Sequence, residues 1–167
     1  MKNNLIKKQK GFMLVEVVIA SAIIVIITFA IVSAAQKGIA LSQRALHESQ
    51  ASYLLEEGAE VAKIIRDNNW TTFAALTLGI NYYYTYDNAS NTWSLTTVAP
   101  VPSTIDSLFT RTVVFSSVNR DSATEDIVTY GGVIDTRTKK VVVTVSWPYN
   151  GSTISKTLSY YVSDIFN

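Results

Sequence analysis

KKQKGFMLVE, residues 7–16, leads into an apolar run over residues 12–35 in which Glu16 is the only charged residue. An ionised carboxylate inside a membrane-length helix is costly, so such a residue normally has a charged partner or a function. Residues 12–35 would form a helix of about 36 Å, which exceeds a hydrocarbon thickness of about 30 Å. The sequence therefore predicts one membrane-spanning helix with a functional acid near its start.

Lysines precede this run, and their position predicts the orientation of the span. Residues 1–11 carry four lysines and no acid. By the positive-inside rule, the amino terminus stays in the cytoplasm and the residues after Lys37 lie outside. The chain is therefore predicted to cross the cytoplasmic membrane once.

Three interpretations of this segment compete. A secretory signal cut near Ser33-Ala34-Ala35 would need an apolar core longer than the usual length of roughly 7–15 residues. A plain signal anchor explains the length but gives Glu16 no counter-charge. A leader peptide that ends at Gly11 supplies one, because cleavage exposes the positive α-amino group of Phe12 one helical turn before Glu16. Opposite charges attract strongly at that spacing in a low-dielectric setting.

The stretch from Lys10 to Glu16 resembles the class III leader and first mature residues of type IV pilins and the related pseudopilins. The family pattern is a basic leader, Gly, an N-methylated Phe, three apolar residues and a Glu, and this sequence matches it at each position. The resemblance implies that a prepilin peptidase cleaves after Gly11 and methylates Phe12. It also implies that Glu16 pairs with the Phe12 amine of an adjacent subunit during filament assembly.

The sequence departs from the family pattern at Ser33. Many members have Pro at this twenty-second mature position, where their helix loosens inside the filament. Gly38 follows a few residues later and has a low helix propensity, which would permit some bending. The sequence does not decide whether this helix unwinds in an assembly.

The remainder of the chain is predicted to be a helical continuation followed by a strand-rich head. Apolar residues recur at helical spacing over Leu54–Ile65. After Trp70, alternating apolar residues and turn sequences predict four or five antiparallel strands, and Asn150-Gly151 is a strong hairpin signal. The predicted strands are residues 80–86, 92–98, 109–118, 140–147 and 153–162.

These patterns predict an α+β, pilin-like fold in which a carboxy-terminal antiparallel sheet packs on the second half of a long amino-terminal helix. The predicted segments are a leader peptide at 1–11, a transmembrane and filament-core helix at 12–38, an amphipathic helix at 39–69 and a sheet head domain at 70–167.

No catalytic site is predicted. Cysteine is absent, His47 is the only histidine, and there is neither a Gly-rich phosphate loop nor an HExxH motif. The acidic loop 119–126 matches no EF-hand spacing and is predicted to be a solvated turn. We therefore expect a substrate of processing enzymes that is not itself an enzyme and that requires no cofactor or metal.

The charge outside the leader argues against direct nucleic-acid binding. The 14 basic residues of the chain fall to 10 once the four lysines of residues 1–11 are set aside, against 13 acidic residues. A nucleic-acid surface would instead be a dense Lys and Arg face.

The leading hypothesis is a structural subunit, major or minor, of a type IV pilus-like filament. Its expected partners are prepilin peptidase, the inner membrane before assembly, and other pilin subunits in an extracellular pilus or periplasmic filament afterwards. A pseudopilin of a type II secretion or DNA-uptake machine shares the same amino-terminal features. A single-span, membrane-anchored binding module is the alternative from another class, and it predicts no processing and no dependence on Glu16.

Overall fold

A computed structural model describes residues 9–165, with side chains from Met13 onward, and residues 1–8 of the predicted leader lie outside it. Its first element, α1, is a helix of 60 residues that spans Gln9–Asn68. No proline occurs in this range, and the helix continues unbroken through Ser33. The prediction of one long amino-terminal helix is confirmed.

A side-chain cap accounts for the end of α1. The backbone of Asn69 is extended (φ −162°, ψ 100°), and its side-chain oxygen accepts a hydrogen bond of 3.0 Å from the Thr72 N–H. This N-cap begins a second, short helix, α2, at Trp70–Ala74. The helix therefore ends at Asn68, one residue before the end of the predicted helical segment 39–69.

Two antiparallel sheets follow α2. The smaller sheet is a hairpin of β1 (Tyr83–Asp87) and β2 (Thr92–Thr96). The strands of the larger sheet are β3 (Thr110–Arg120), β4 (Ile127–Val128), β5 (Val133–Tyr149) and β6 (Ser152–Ser163). Their order in the sheet is β4-β3-β5-β6, and all neighbours are antiparallel. The predicted α+β class with a carboxy-terminal antiparallel sheet is confirmed.

The strands differ from the prediction of a single sheet in three respects, the first of which is the short strand β4 (Ile127–Val128), which was not predicted. The β1–β2 hairpin is a separate sheet, and an isolated bridge between Tyr82 and Val113 links it to β3. β5 begins at Val133 instead of residue 140, because β3 and β5 pair again beyond an irregularity at Ser117/Val118. The polar residues before 140 gave no alternating apolar pattern that would have predicted this extension.

The turn between β5 and β6 has the conformation that its sequence predicts. Asn150 and Gly151 both have positive φ values, 48° and 76°. Two successive left-handed residues form the type I′ turn that suits the twist of a hairpin, and Asn-Gly is its preferred sequence. The turn fixes the register so that Tyr149 pairs with Ser152.

The chain divides into two compact units between residues 47 and 48. The core belongs to the carboxy-terminal unit and lies between the larger sheet and residues 48–68 of α1. Alternate residues of β5 form the centre of its inner face, and all of them are buried: Val141, Val143, Val145 and Trp147. The helix contributes small and aliphatic side chains, Ala51, Leu55 and Ala62. Small residues on the helix allow a close approach to the sheet.

The closest approach is at Gly58. A Cβ atom at this position would lie 2.9 Å from Cγ1 of Val143 and 3.1 Å from Cδ of Arg111. Side chains of the two sheets also donate hydrogen bonds to carbonyl oxygens of α1. The pairs are Arg111 Nη1 to Leu54 (3.0 Å), Tyr84 Oη to Gly58 (2.7 Å), Tyr160 Oη to Ala59 (3.0 Å) and Lys156 Nζ to Glu48 (3.4 Å).

We expect the substitution Gly58→Val to destabilise the head by about 1–3 kcal/mol, because extra methyl groups overpack a filled interface. The measurement is urea unfolding of the detergent-solubilised chain, followed by near-ultraviolet circular dichroism. Gly38→Val is the matched control, since nothing lies within 4 Å of a Cβ built at Gly38. Equal unfolding midpoints for the two variants would show that the helix and sheet are not tightly packed at Gly58.

Candidate functional site

The surface of α1 from Met13 to Leu41 is apolar and exposed. Its large hydrophobic side chains are each 47–73% accessible. The helix is long and apolar enough to cross a membrane. Exposed apolar surface of this extent is unfavourable in water and is typical of a membrane or protein contact. The amino-terminal unit is therefore compatible with a membrane anchor.

Two of the three hydroxyl side chains in residues 13–35, those of Ser21 and Thr28, are satisfied by the helix itself. Ser21 Oγ donates to the carbonyl oxygen of Val18 at 2.9 Å, and Thr28 Oγ1 donates to that of Ile24 at 2.8 Å. These bonds to backbone carbonyls satisfy both hydroxyl groups without a water molecule. The two polar side chains therefore do not oppose placement of the helix in hydrocarbon.

Glu16 lies near the start of this surface and is exposed. It shares one helix face with Ile19, Ala20 and Ile23, at the i, i+3, i+4 and i+7 spacing. Among residues 13–165, no side chain forms a hydrogen bond or ion pair with Glu16. The structure thus places one carboxylate on an apolar face with no partner from the described part of its own chain.

The predicted processing residues precede Glu16 on the same helix. The backbones of Gly11 and Phe12 belong to α1, and their side-chain surroundings lie outside the described residues. Glu16 follows Phe12 by four positions in the helix, a rise of about 6 Å. An amine at Phe12 and the Glu16 carboxylate would therefore be neighbours along one helix or across two staggered helices.

Comparisons with known proteins identify no relative. No family model, curated protein or solved structure matches this chain. The roles given to Gly11, Phe12 and Glu16 stay predictions.

The acidic loop 119–126 forms a turn built around Asp121. Its Oδ1 accepts hydrogen bonds from the N–H groups of Ala123 (2.8 Å) and Thr124 (3.1 Å). These bonds hold the pKa of the Asp121 carboxyl below its usual value. In the part of the chain that the structure describes, no group of three or more His, Asp or Glu side chains could hold a metal ion.

Arg111 and Lys156 are the charged residues on strand faces that are otherwise apolar, in β3 and β6 respectively. The structure turns both side chains toward α1, where Arg111 also pairs with Glu57 at 2.9 Å and Lys156 donates to Ser52 Oγ at 2.9 Å. An inward-facing charge on β6, an edge strand, also discourages pairing with a foreign strand. Their spacing within an alternating pattern was a signal that each needs a polar partner on the facing element.

Proposed function

We propose that this chain is a structural subunit of a type IV pilus-like filament. In this proposal a prepilin peptidase removes residues 1–11 and methylates Phe12, and the chain is a substrate of these steps and not an enzyme. The observation that carries the proposal is the exposed apolar helix with Glu16, which has no partner among residues 13–165 and is the fifth residue after the predicted cleavage site.

The apolar surface of α1 supports two successive environments for the mature helix. Before assembly, lipid covers the apolar run up to Ala35 and the positive leader holds the amino terminus in the cytoplasm. During assembly, copies of the same helix replace lipid as the apolar neighbours. Each large apolar side chain kept out of water contributes about 1.5–3 kcal/mol, so leaving the membrane requires an equivalent apolar environment in the filament.

Glu16 supplies the specificity of the assembly step. A buried carboxylate without a partner is strongly unfavourable, and the new amine of Phe12 on a neighbouring subunit neutralises it. Because this pairing is possible only at one stagger between helices, the ion pair also sets the axial register of adjacent subunits.

A pseudopilin of a type II secretion or DNA-uptake machine would use the same amino-terminal mechanism. The location of the assembled filament separates the two functions, since a pilus extends from the cell surface and a pseudopilus stays in the periplasm. Electron microscopy of sheared surface fibres, with identification of their subunit by mass spectrometry, makes that distinction.

We expect mass spectrometry of the filament subunit to find N-methylated Phe12 as its first residue. The same chain from cells without prepilin peptidase should retain Met1 and remain in the membrane fraction. A membrane-anchored binding module would keep its full leader in both strains. An intact Met1 terminus in wild-type cells would therefore contradict the proposal.

A further inference from the structure

The head contains a cleft of about 260 Å³ between α1, the β1–β2 hairpin and the loop that joins β2 to β3. Its apolar walls include Tyr83, Trp93, Pro100 and Ile105. Its polar groups include the charged pair of Glu57 and Arg111. Small-molecule sites have this character, with mostly apolar walls and a few polar groups that fix orientation.

Arg111 is one of the polar residues that line the cleft, and its side chain is only 6% exposed. Its Nη1 donates to the Leu54 carbonyl at 3.0 Å and to Oε2 of Glu57 at 2.9 Å. Within residues 13–165, neither Nε nor Nη2 forms a hydrogen bond. Three of the five N–H donors of the guanidinium thus have no partner among the described residues. They are not among the fully buried unsatisfied atoms, so an external acceptor can reach them.

The guanidinium is held in place by its neighbours. Its Cζ lies 5.1 Å from the centroid of the Tyr84 ring, a cation–π arrangement. The Tyr84 hydroxyl is fixed in turn by its hydrogen bond to the Gly58 carbonyl. Burial raises the pKa of this hydroxyl above its usual range, so Tyr84 remains a neutral donor. The unpaired donors of Arg111 are therefore preorganised.

Glu57 adds an acceptor beside those donors. Its side chain is 48% exposed, and its other oxygen, Oε1, accepts no hydrogen bond from the described residues. The pair carries no net charge. An anionic ligand would be repelled by Glu57 and a cationic one by Arg111. A neutral group with adjacent hydroxyls fits both, since one oxygen accepts from Arg111 while a neighbouring hydroxyl donates to Glu57.

Trp93 gives the cleft an aromatic wall. Its ring is 4.9 Å from the ring of Tyr86, which supports it from β1. An aromatic face packs well against the C–H groups of a pyranose ring, whose hydroxyls point outward to the rim. The volume is below the range of roughly 300–1,000 Å³ that is usual for drug-sized ligands, so it suits one ring and not a chain of rings.

We propose that this cleft binds the terminal pyranose of a neutral glycan, with Trp93 packing on the ring while Arg111 and Glu57 hydrogen-bond adjacent oxygens. The inference does not depend on filament assembly, because every residue involved lies in the head. A sugar-binding head would give either a filament or a single membrane-anchored chain an adhesive function.

The test is saturation-transfer NMR and isothermal titration calorimetry of the full chain. The chain is kept in a zwitterionic detergent, because the sugar headgroup of a maltoside detergent would compete for the site. The probes are the methyl pyranosides of glucose, mannose, galactose and N-acetylglucosamine, with N-acetylneuraminic acid as the anionic comparison. We expect saturable binding of at least one neutral sugar, with a Kd on the order of 1 mM, and weaker binding of the anionic sugar.

Variants of the residues that line the cleft test whether the sugar binds there. Trp93→Ala should weaken binding at least tenfold, and Glu57→Gln should weaken it about tenfold. Trp93→Phe keeps an aromatic wall and should retain most of the affinity. Tyr130→Ala is the control, since Tyr130 is 90% exposed and does not line the cleft. Near-ultraviolet circular dichroism shows which variants are folded.

Three results would overturn the proposal. One is the absence of saturable binding of every neutral sugar by the wild-type chain at roughly 20 mM, about twenty times the expected Kd. Another is equal affinity in the folded Trp93→Ala variant. The third is preferential binding of N-acetylneuraminic acid, which would assign an anionic ligand to the cleft.

Discussion

Replacing Glu16 with Gln should leave the chain inserted in the membrane and prevent its incorporation into filaments. Gln has the shape of Glu but no charge, so the helix and its hydropathy are preserved while the partner of the Phe12 amine is lost. At an effective dielectric constant of 20, unit charges 4 Å apart attract by about 4 kcal/mol. Loss of that attraction corresponds to about a thousandfold weaker subunit contact, and the amine is also left without a partner.

The measurement for Glu16→Gln compares two quantities in the same cells, the amount of chain in the membrane fraction and the amount in sheared fibres. Glu56→Gln is the matched control, because it makes the same chemical change at an exposed position of the same helix. Wild-type levels of both variants in fibres would contradict an assembly role for Glu16. Loss of Glu16→Gln from membranes as well would point to a defect in insertion instead.

Phe115→Ala should cost about 3–5 kcal/mol of head stability. Phe115 is completely buried on β3. Its ring packs edge-to-face against two other aromatic rings, with ring centroids 5.2 Å from that of Phe73 and 5.6 Å from that of Tyr82. Truncation removes both contacts and leaves a cavity that the surrounding strands cannot fill. The loss is a large part of a typical total of about 5–15 kcal/mol, and the chain has no cysteine to form a compensating disulfide.

Thermal unfolding of the detergent-solubilised chain measures this effect, and we expect Tm to fall by roughly 10 °C or more. Tyr130→Ala is again the control, because truncation of an exposed aromatic side chain should change stability by less than about 0.5 kcal/mol. If both variants unfold at the wild-type temperature, Phe115 does not belong to the cooperative core.

Local sequence patterns were sufficient for the elements whose conformation depends on near neighbours. The apolar run and the helical spacing over Leu54–Ile65 predicted α1, and Asn150-Gly151 predicted the β5–β6 turn. In each case the interactions that determine the local conformation involve residues that are close in sequence, so the conformation can be predicted from the sequence directly. The candidate assembly residues Gly11, Phe12 and Glu16 were found in the same way, as a short motif at the head of the span.

Tertiary structure decided the features that join distant parts of the chain. The separation of the β1–β2 hairpin from the larger sheet and the extension of β5 to Val133 depend on which strands meet. Arg111 stands in an alternating apolar pattern, and its partners Leu54 and Glu57 lie more than fifty residues earlier. The sequence determined that Arg111 faces inward. Only the packing of the helix against the sheet decided that the Arg111 guanidinium pairs with Leu54 and Glu57 and also lines a cleft. The partners of an inward-facing donor depend on which acceptors the tertiary fold places beside it.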